Sequence, residues 1–227
     1  MLDVSRKELK YVIGTDEVYF YKDRLSRIME SDPNNHEGGY TVRSLYFDTI
    51  YDNDYYEKID GVDNRKKVRI RLYNGDTDVI KLELKAKEGD FQRKRSVRIT
   101  QEEAKMMING EYLFLMEKMD AFSQAMYTML TSRCYRPKCI VEYDRLAYVN
   151  DVNDIRITFD MKLRALEDPW QFLDTKCDLY PVADTSETTM EVKYNGFLFS
   201  HIKKTLDVVN RPRISNSKYV RSRAYLR

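Results

Sequence analysis

The sequence predicts an α+β fold: an antiparallel β-sheet with helices packed on the outside. Three observations carry this expectation. Apolar and charged residues alternate with period two in at least six segments, so each reads as a half-buried strand. Tyrosine is abundant, at 18 residues, and glycine scarce, at eight, which suits long twisted strands better than Gly-rich loops. Segments with helical spacing fall between the strands, and no composition shift, Pro/Ser-rich linker or low-complexity tract divides the chain. Residues 1–227 therefore read as one domain.

The first strand runs through Arg6–Ile13, where Leu9, Tyr11 and Ile13 share one face and Arg6, Glu8 and Lys10 the other. Thr15 or Asp16 caps a helix lined by Val18, Tyr21, Leu25, Ile28 and Met29 that ends near Ser31-Asp32-Pro33. After a loop over residues 34–39, Val42–Thr49 is a strand. Residues 61–64 then lead to Val68–Leu72, in which the apolar positions alternate with Arg69 and Arg71. Lys81–Lys87 sets Lys81, Glu83, Lys85 and Lys87 opposite Leu82, Leu84 and Ala86. In Lys94–Ile99, Lys94, Ser96 and Arg98 share a face, although Arg95 interrupts the apolar side.

Thr100 with Glu103 has capping-box spacing ahead of Ala104, Met107 and Ile108, and Asn109-Gly110 is a stop. Tyr112–Ser132 is apolar enough for one long helix, its methionines serving as core filler. Cys139–Tyr148 and Ile155–Asp160 are strands carrying Arg145 and Arg156. Residues 167–181 read as an irregular connection. Met190–Tyr194 is a strand projecting Glu191 and Lys193 together, and a last helix spans residues 197–209.

Composition excludes several function classes. Thirty-nine Lys and Arg against 37 Asp and Glu leave a net charge of +2, too weak a field for a nucleic-acid binder. The tyrosines sit mainly on apolar strand faces rather than among basic residues along a groove, so no nucleic-acid partner is expected. Neither G-x-x-x-x-G-K-[ST] nor G-x-G-x-x-G occurs, so side chains must hold the phosphates of any bound nucleotide. Cys134, Cys139 and Cys177 form neither an even set nor a C-x-x-C pair and read as packing thiols in a reducing compartment. No apolar run approaches the roughly 18 residues of a membrane span. The opening residues 1–8 carry charges where an export signal needs an apolar stretch, so the expected location is cytoplasmic.

The charged strand faces have two readings. In one they meet water, as one face of an antiparallel sheet commonly does. In the other they point inward. Glu-apolar-Lys occurs three times, at Glu8-Leu9-Lys10, Glu83-Leu84-Lys85 and Glu191-Val192-Lys193, each setting a carboxylate beside an ammonium on one strand face. Surface pairs of this kind contribute only about 0–1 kcal/mol each and give no reason for arginines on neighbouring strands. A barrel closed with these faces inward has a pore lined by Lys, Arg and Glu, a receptor for a long anion with a metal. Arginine forks and lysine point charges can meet the oxygens of a linear triphosphate from several sides. The glutamates would hold a divalent cation through oxygen ligands, as Mg2+ or Mn2+ prefers.

An ordered set of motifs narrows the choice. Lys10-Tyr11, Ser44-Leu45-Tyr46-Phe47-Asp48-Thr49, Arg69-Ile70-Arg71, Glu83-Leu84-Lys85, Glu142-Tyr143-Asp144-Arg145, Ile155-Arg156-Ile157-Thr158, Glu191-Val192-Lys193 and Ser217-Lys218-Tyr219 follow one another along nearly the whole chain. In this order they resemble the vacuolar transporter chaperone (VTC) domain, the polyphosphate polymerase branch of the CYTH-like triphosphate tunnel metalloenzymes. The resemblance implies a single tunnel domain, an antiparallel β-barrel with helices packed on the outside, and an ATP-polyphosphate phosphotransferase that adds the terminal phosphoryl group of ATP to a growing chain, with Mn2+ or Mg2+ as cofactor. ATP and inorganic polyphosphate, triphosphate or pyrophosphate would be its partners. Lys10, Arg69, Arg71, Lys85, Lys94, Arg145 and Arg156 would grip phosphates, and Lys218 would close the tunnel. Glu191 would bind the metal, with Glu83 and Glu8 the further carboxylates of that set. The chain departs from the family pattern at Ser215, where a second lysine is expected. The sensing and membrane-spanning parts of the eukaryotic complex have no counterpart in the sequence. It therefore resembles the stand-alone bacterial form, whose membrane tether would be a separate protein.

Phosphoryl transfer needs positioning and charge neutralisation more than covalent chemistry. A terminal phosphate acceptor is already anionic at neutral pH and needs no strong base. That suits a chain whose two histidines, His36 and His201, fall in a predicted loop and a predicted helix and read as incidental. Water as the acceptor would need activation by Glu8 or Glu83. A metal-dependent triphosphatase and a non-catalytic polyphosphate-binding module are the competing readings.

Overall fold

Period-two alternation builds most of the protein. In the computed structural model, which describes residues 6–89 and 91–226, the chain runs β1 (Arg6–Gly14), α1 (Thr15–Leu25), β2 (Glu30–Ser31), β3 (Tyr40–Thr49), α2 (Asn53–Ile59), β4 (Arg65–Tyr73), β5 (Asp76–Glu88), β6 (Phe91–Ile99) and α3 (Gln101–Asn109). It continues through α4 (Phe114–Glu117), α5 (Ala121–Ser132), β7 (Tyr135–Asn150), β8 (Ile155–Leu166), β9 (Tyr180–Pro181), β10 (Glu187–Asn195), α6 (Ser200–Leu206) and α7 (Lys218–Leu226). The opening Met1–Ser5, on which the expectation about export partly rests, lies outside the described residues.

The hydrogen-bonded strand order is β1-β10-β8-β7-β3-β4-β5-β6, with β2 on β7 and β9 on β8. The α+β class and the antiparallel sheet are those the sequence predicts. Closure of the expected barrel differs: the path ends at β1 and β6, and no pairing joins these two strands among the described residues.

The chain forms two compact units, each assembled from separate stretches of sequence. The first comprises residues 6–41, 143–163 and 183–217. Its core sets Tyr11 and Ile13 of β1, Ile157 and Phe159 of β8, and Met190 and Val192 of β10 against Val18, Tyr21 and Leu25 of α1 and Ile202 and Leu206 of α6. The second comprises the described residues of 42–142, 164–182 and 218–226. There Val68 and Ile70 of β4 and Ile80 and Leu82 of β5 pack on Ala104 and Met107 of α3, Leu115 of α4 and Met126 and Leu130 of α5. In both units the apolar half of the alternation meets helices and the charged half lies on the opposite strand face.

Several local expectations are corrected. The long helix over Tyr112–Ser132 is broken, because Met119 takes a positive φ of 53° and the Asp120 carboxylate accepts the N–H groups of Phe122 and Ser123 at 3.0 and 2.9 Å. A good N-cap outweighs continuous apolar spacing. Gly14, not Thr15 or Asp16, precedes α1, and its N–H donates to Glu17 at 2.9 Å. The helix expected to reach Ser31 ends at Leu25. The last expected helix shortens to Ser200–Leu206 and is followed by α7. Arg95, the apparent flaw in β6, lays its guanidinium 4.7 Å over the Phe122 ring. The three cysteines are thiols outside any disulfide, and Cys139 is fully buried. Among the described residues no helix is long and apolar enough to cross a membrane.

Candidate functional site: two charged sheet faces

In the first unit, antiparallel pairing turns two of the tripeptides against each other. Glu8 faces Lys193 and Lys10 faces Glu191 across β1 and β10, while β8 sets Arg156 opposite Lys193 and Thr158 opposite Glu191. Each acid thereby meets a base. Lys10 Nζ lies 3.2 Å from Glu8 and 3.0 Å from Glu191, and Lys193 Nζ takes the second Glu191 oxygen at 3.0 Å. Glu191 is 4% exposed, a burial tolerable for a carboxylate only with such partners.

Two strand arginines of this unit, Arg145 and Arg156, are held by carboxylates. Arg145 is bound to Asp160 by two bonds of 2.6 and 2.8 Å and donates to the Tyr143 hydroxyl at 3.3 Å. Burial works against its charge, but Asp160 holds its pKa well above the usual arginine value. Arg156 pairs with Asp32 at 2.7 Å and donates to Tyr40 at 2.9 Å. Lys10 also donates to the Asn216 carbonyl at 3.2 Å, and Asn216 donates to the Thr189 hydroxyl at 2.9 Å, which brings residues 214–216 onto this face.

The second unit treats the same tripeptide differently. Glu83 lies between Arg69 and Ser96, and Lys85 between Lys67 and Lys94, across β4, β5 and β6. Glu83 is 1% exposed. It is bound by Arg69 at 2.7 Å and Lys94 at 2.5 Å, with Arg71 at 3.9 Å. Burial alone would raise its carboxyl; the charges of Arg69, Arg71 and Lys94 instead bring it down to about 2. Lys67, Lys85 and Lys94 stand at facing positions on the three strands.

Polar residues of β3 position these cations. Ser44 accepts from Arg71 at 3.0 Å and Tyr46 from Arg69 at 3.0 Å. Tyr46 stacks on Tyr219 of α7, with ring centres 5.0 Å apart, and the buried Tyr219 hydroxyl donates to Asp48 at 2.7 Å. Lys218, the first residue of α7, is fixed beside that anchor. Asp48 also accepts the N–H groups of Asp54 and Tyr55 at 2.9 and 3.0 Å, which starts α2. Asp54 itself is buried, bound by the Tyr135 hydroxyl at 2.9 Å with Lys66 at 3.4 Å, and burial pushes its carboxyl up to about 7.

The structure thus gathers Glu8, Lys10, Glu191, Arg145 and Arg156 on strands of the first unit, and Arg69, Arg71, Glu83, Lys85 and Lys94 with Lys218 in the second. Ser44, Tyr46, Asp48, Asp160 and Tyr219 complete these networks; Ser44, Tyr46, Asp48 and Tyr219 lie in the motifs that carry the family resemblance, but sequence reasoning gave none of the five a role. Alternation along β3 was the available signal, since Ser44, Tyr46 and Asp48 share one face opposite Leu45 and Phe47.

No group of three or more His, Cys, Asp or Glu suited to a metal occurs among the described residues. Magnesium-type ions use one or two carboxylates together with substrate phosphates, which the Glu8 and Glu191 pair can supply. The Thr158 hydroxyl, opposite Glu191, is buried with no hydrogen-bond partner among the described residues, a hard oxygen that a divalent ion or its water accepts. The residues present therefore fit a divalent cation.

Comparison with curated protein sequences finds no match. Among solved structures, the chain is similar to HpAC1 from Hippeastrum, for which a dominant triphosphatase activity is described, at TM-score 0.55 and 13% identity over 96% of this chain and 94% of that one. An adenylate cyclase candidate from Bacillus halodurans gives TM-score 0.52 and 12% identity, covering 94% and 95% of the two chains. The PH1819 protein of Pyrococcus horikoshii OT3 gives 0.50 and 13%, covering 98% and 99%. At these identities the likeness is one of fold. The VTC domain model matches residues 5–227, and the chain therefore belongs to the VTC domain family, with the fold of the triphosphate tunnel proteins.

Proposed function

We propose that the protein is an ATP-dependent polyphosphate polymerase, transferring the terminal phosphoryl group of ATP to the end of a polyphosphate chain. The observation that supports this reading best is the imbalance of the second unit's face: across Arg65–Arg71, Lys81–Lys87 and Gln92–Arg98, Glu83 is the one carboxylate among its described positions. Such a face asks for a polyanion. Lys10, Arg145 and Arg156 from the first unit and Arg69, Arg71, Lys85, Lys94 and Lys218 from the second would grip phosphates, with Glu83 holding Arg69, Arg71 and Lys94 in position.

Tunnel-fold enzymes generally use divalent metals. Glu191 and Glu8, with the Thr158 hydroxyl alongside, would hold the ion, Mn2+ or Mg2+, which neutralises charge on the phosphates. Lys10 and Lys193 neutralise Glu191 without it. The attacking terminal phosphate is an anion already, so no residue is assigned as a general base. That agrees with the positions of the histidines: His36 lies in a turn closed on Gly39, and His201 stacks on Phe199. The reading carries no nucleic-acid partner. A cytoplasmic location and a separate membrane protein as tether belong to the same proposal.

The triphosphatase reading is favoured by the activity described for HpAC1. Purified protein incubated with ATP and manganese separates the cases. Polymerisation yields ADP with little free phosphate and a ladder of polyphosphate on a gel. Stoichiometric orthophosphate with no polymer establishes the triphosphatase, and binding of polyphosphate without turnover establishes a binding module.

A further inference from the structure

The sequence reads the methionines of residues 112–132 as core filler, and Met126 is one, buried in the second unit. Met116 and Met119 are not. Both are exposed, as are Met106 of α3 and Leu113, so four large apolar side chains from α3 and the segment after it stand in solvent. A surface helix keeps polar residues on that side. The inner side of the same segment is already occupied, since Ala104, Met107, Ile108 and Leu115 are buried in the core.

Local geometry holds the four together. Gly110, at φ 81°, turns the chain, and the Glu111 N–H closes on the Met106 carbonyl at 2.8 Å. Lys118 then reaches back to Glu103 at 2.7 Å, so residues 113–118 return along α3. Met119 follows in the left-handed region, where glycine or asparagine fits better, and its side chain is left 87% exposed. Such a placement contributes nothing to the core. It suits contact with another chain, because a flexible, polarizable thioether moulds to differing apolar shapes.

Charge and area indicate which partner. Residues 101–120 hold Glu102, Glu103, Glu111, Glu117 and Asp120 against Lys105 and Lys118, in a chain whose net charge is +2. Glu103 is paired with Lys118 and Asp120 caps α5, whereas Glu102, Glu111 and Glu117 join no ion pair among the described residues. Arg136 approaches at Gly110, where it donates to the Tyr135 carbonyl at 2.7 Å. Four side chains amount to a patch on the order of a few hundred Å2, below the roughly 800 Å2 per partner that a stable interface between folded proteins buries. A single helix needs less: α3 is about 14 Å long, the length of an apolar stripe along roughly three helical turns.

We propose that this acid-rimmed methionine patch on α3 and α4 docks a basic amphipathic helix of a partner protein. The helix lays apolar side chains on Met106, Leu113, Met116 and Met119 and its Lys or Arg beside Glu102, Glu111 and Glu117. None of these residues belongs to the phosphate or metal sets, so the inference stands whatever reaction the protein catalyses.

The probe is a synthetic helix of about four turns, with leucine along one stripe and lysine elsewhere; a second probe carries glutamine in place of lysine. Binding is followed by calorimetry and by the methyl signals of isotope-labelled methionine. The lysine helix should bind wild type and shift the methyls of Met106, Met116 and Met119 but not those of the buried Met107 and Met126. M106Q/M116Q/M119Q, which keeps side-chain length, should weaken binding about tenfold. E102Q/E111Q/E117Q should do the same at low salt and little at high salt. I59Q, at an exposed position on α2, should leave binding unchanged. Thermal unfolding reports whether the methionine variant is folded; if it is not, the carboxylate variant decides alone. Failure of wild type to bind, equal binding of the glutamine helix, shifts confined to other methionines, or an equal loss in I59Q would overturn the site. So would dimerisation, or binding to phosphatidylcholine vesicles, that M106Q/M116Q/M119Q abolishes, since these give the patch to a second copy or to a membrane.

Discussion

One tripeptide, Glu-apolar-Lys, sits in two different settings. In the first unit two copies run antiparallel, so each glutamate meets a lysine and the face is close to neutral. In the second a single copy lies among strands of Arg and Lys, where Glu83 joins cations and Lys85 faces two more lysines. Local sequence is the same; strand register decides whether the motif makes a face of alternating acids and bases or one in which Glu83 stands among basic residues. The first suits a metal with phosphate, the second phosphate alone.

The largest effect is expected from breaking the second face. Arg69→Ala with Arg71→Ala should lower ATP turnover by about a thousandfold, since electrostatic stabilisation of the transferred phosphoryl group is lost. It should also destabilise the fold by roughly 3 kcal/mol, because Glu83 keeps only Lys94 while remaining buried. Adding Glu83→Gln should restore most of the stability and none of the activity, read by denaturant unfolding beside turnover. Restored activity would mean that the arginines serve Glu83 and not phosphate.

Glu191→Gln probes the first face and should be milder. At saturating metal the rate should fall about a hundredfold, and the metal concentration needed for half-maximal turnover should rise. Calorimetric ATP binding with chelator present should be unchanged or tighter, since a negative charge has gone. Wild-type metal dependence would move the ion to other carboxylates.

Two buried acids of the second unit should separate in pH-dependent stability. Asp54 is raised from 3.8 to about 7, so the folded state holds the proton more tightly than the unfolded chain. Its contribution is fully present below about 4 and lost as pH rises through 7, on the order of 4 kcal/mol. Glu83 is lowered from 4.5 to about 2, so its contribution is present above 4.5 and lost as pH falls toward 2, on the order of 3 kcal/mol. Asp54→Asn should flatten the decline between 4 and 7, and Glu83→Gln the acid limb. Unfolding curves at several pH values check both, and a profile unchanged by either substitution contradicts the environment assigned to that acid.

The smallest effect belongs to Thr158→Val. Removing the partnerless hydroxyl should leave metal-free stability equal or up to about 1 kcal/mol higher, while the metal requirement rises. A destabilised variant with wild-type metal dependence would assign the hydroxyl to the fold.

Strand identity and facing were legible because alternation is local: Val68–Leu72 and Lys81–Lys87 carry their inner and outer faces in five to seven residues. Register was not. Nothing near Arg145 announces Asp160, and the neutralisation of the first face follows only from which strands pair. Helix α2 went unseen because its first N–H groups are taken by Asp48, six and seven residues upstream. Helix α7 escaped for a similar reason, since Tyr219 finds Asp48 across 171 residues. The broken helix at Asp120 was legible in principle, but continuous apolarity concealed a cap.

The two end strands raise a matter of colloidal behaviour. An unpaired strand edge invites another chain to add to it. At β1 the invitation is withdrawn by cover, since the Ile214 N–H donates to the Lys10 carbonyl at 3.0 Å. At β6 it is withdrawn by charge, with Arg93, Lys94, Arg95 and Arg98 on one nine-residue strand. Cover is permanent, whereas charge can be discharged by a counterion. A polyanion bound along β6 would cancel the repulsion that keeps two such edges apart. Light scattering should therefore rise as polyphosphate is titrated in and fall again when added salt displaces it, so that the protein's dispersal in solution depends on how much polyanion it carries.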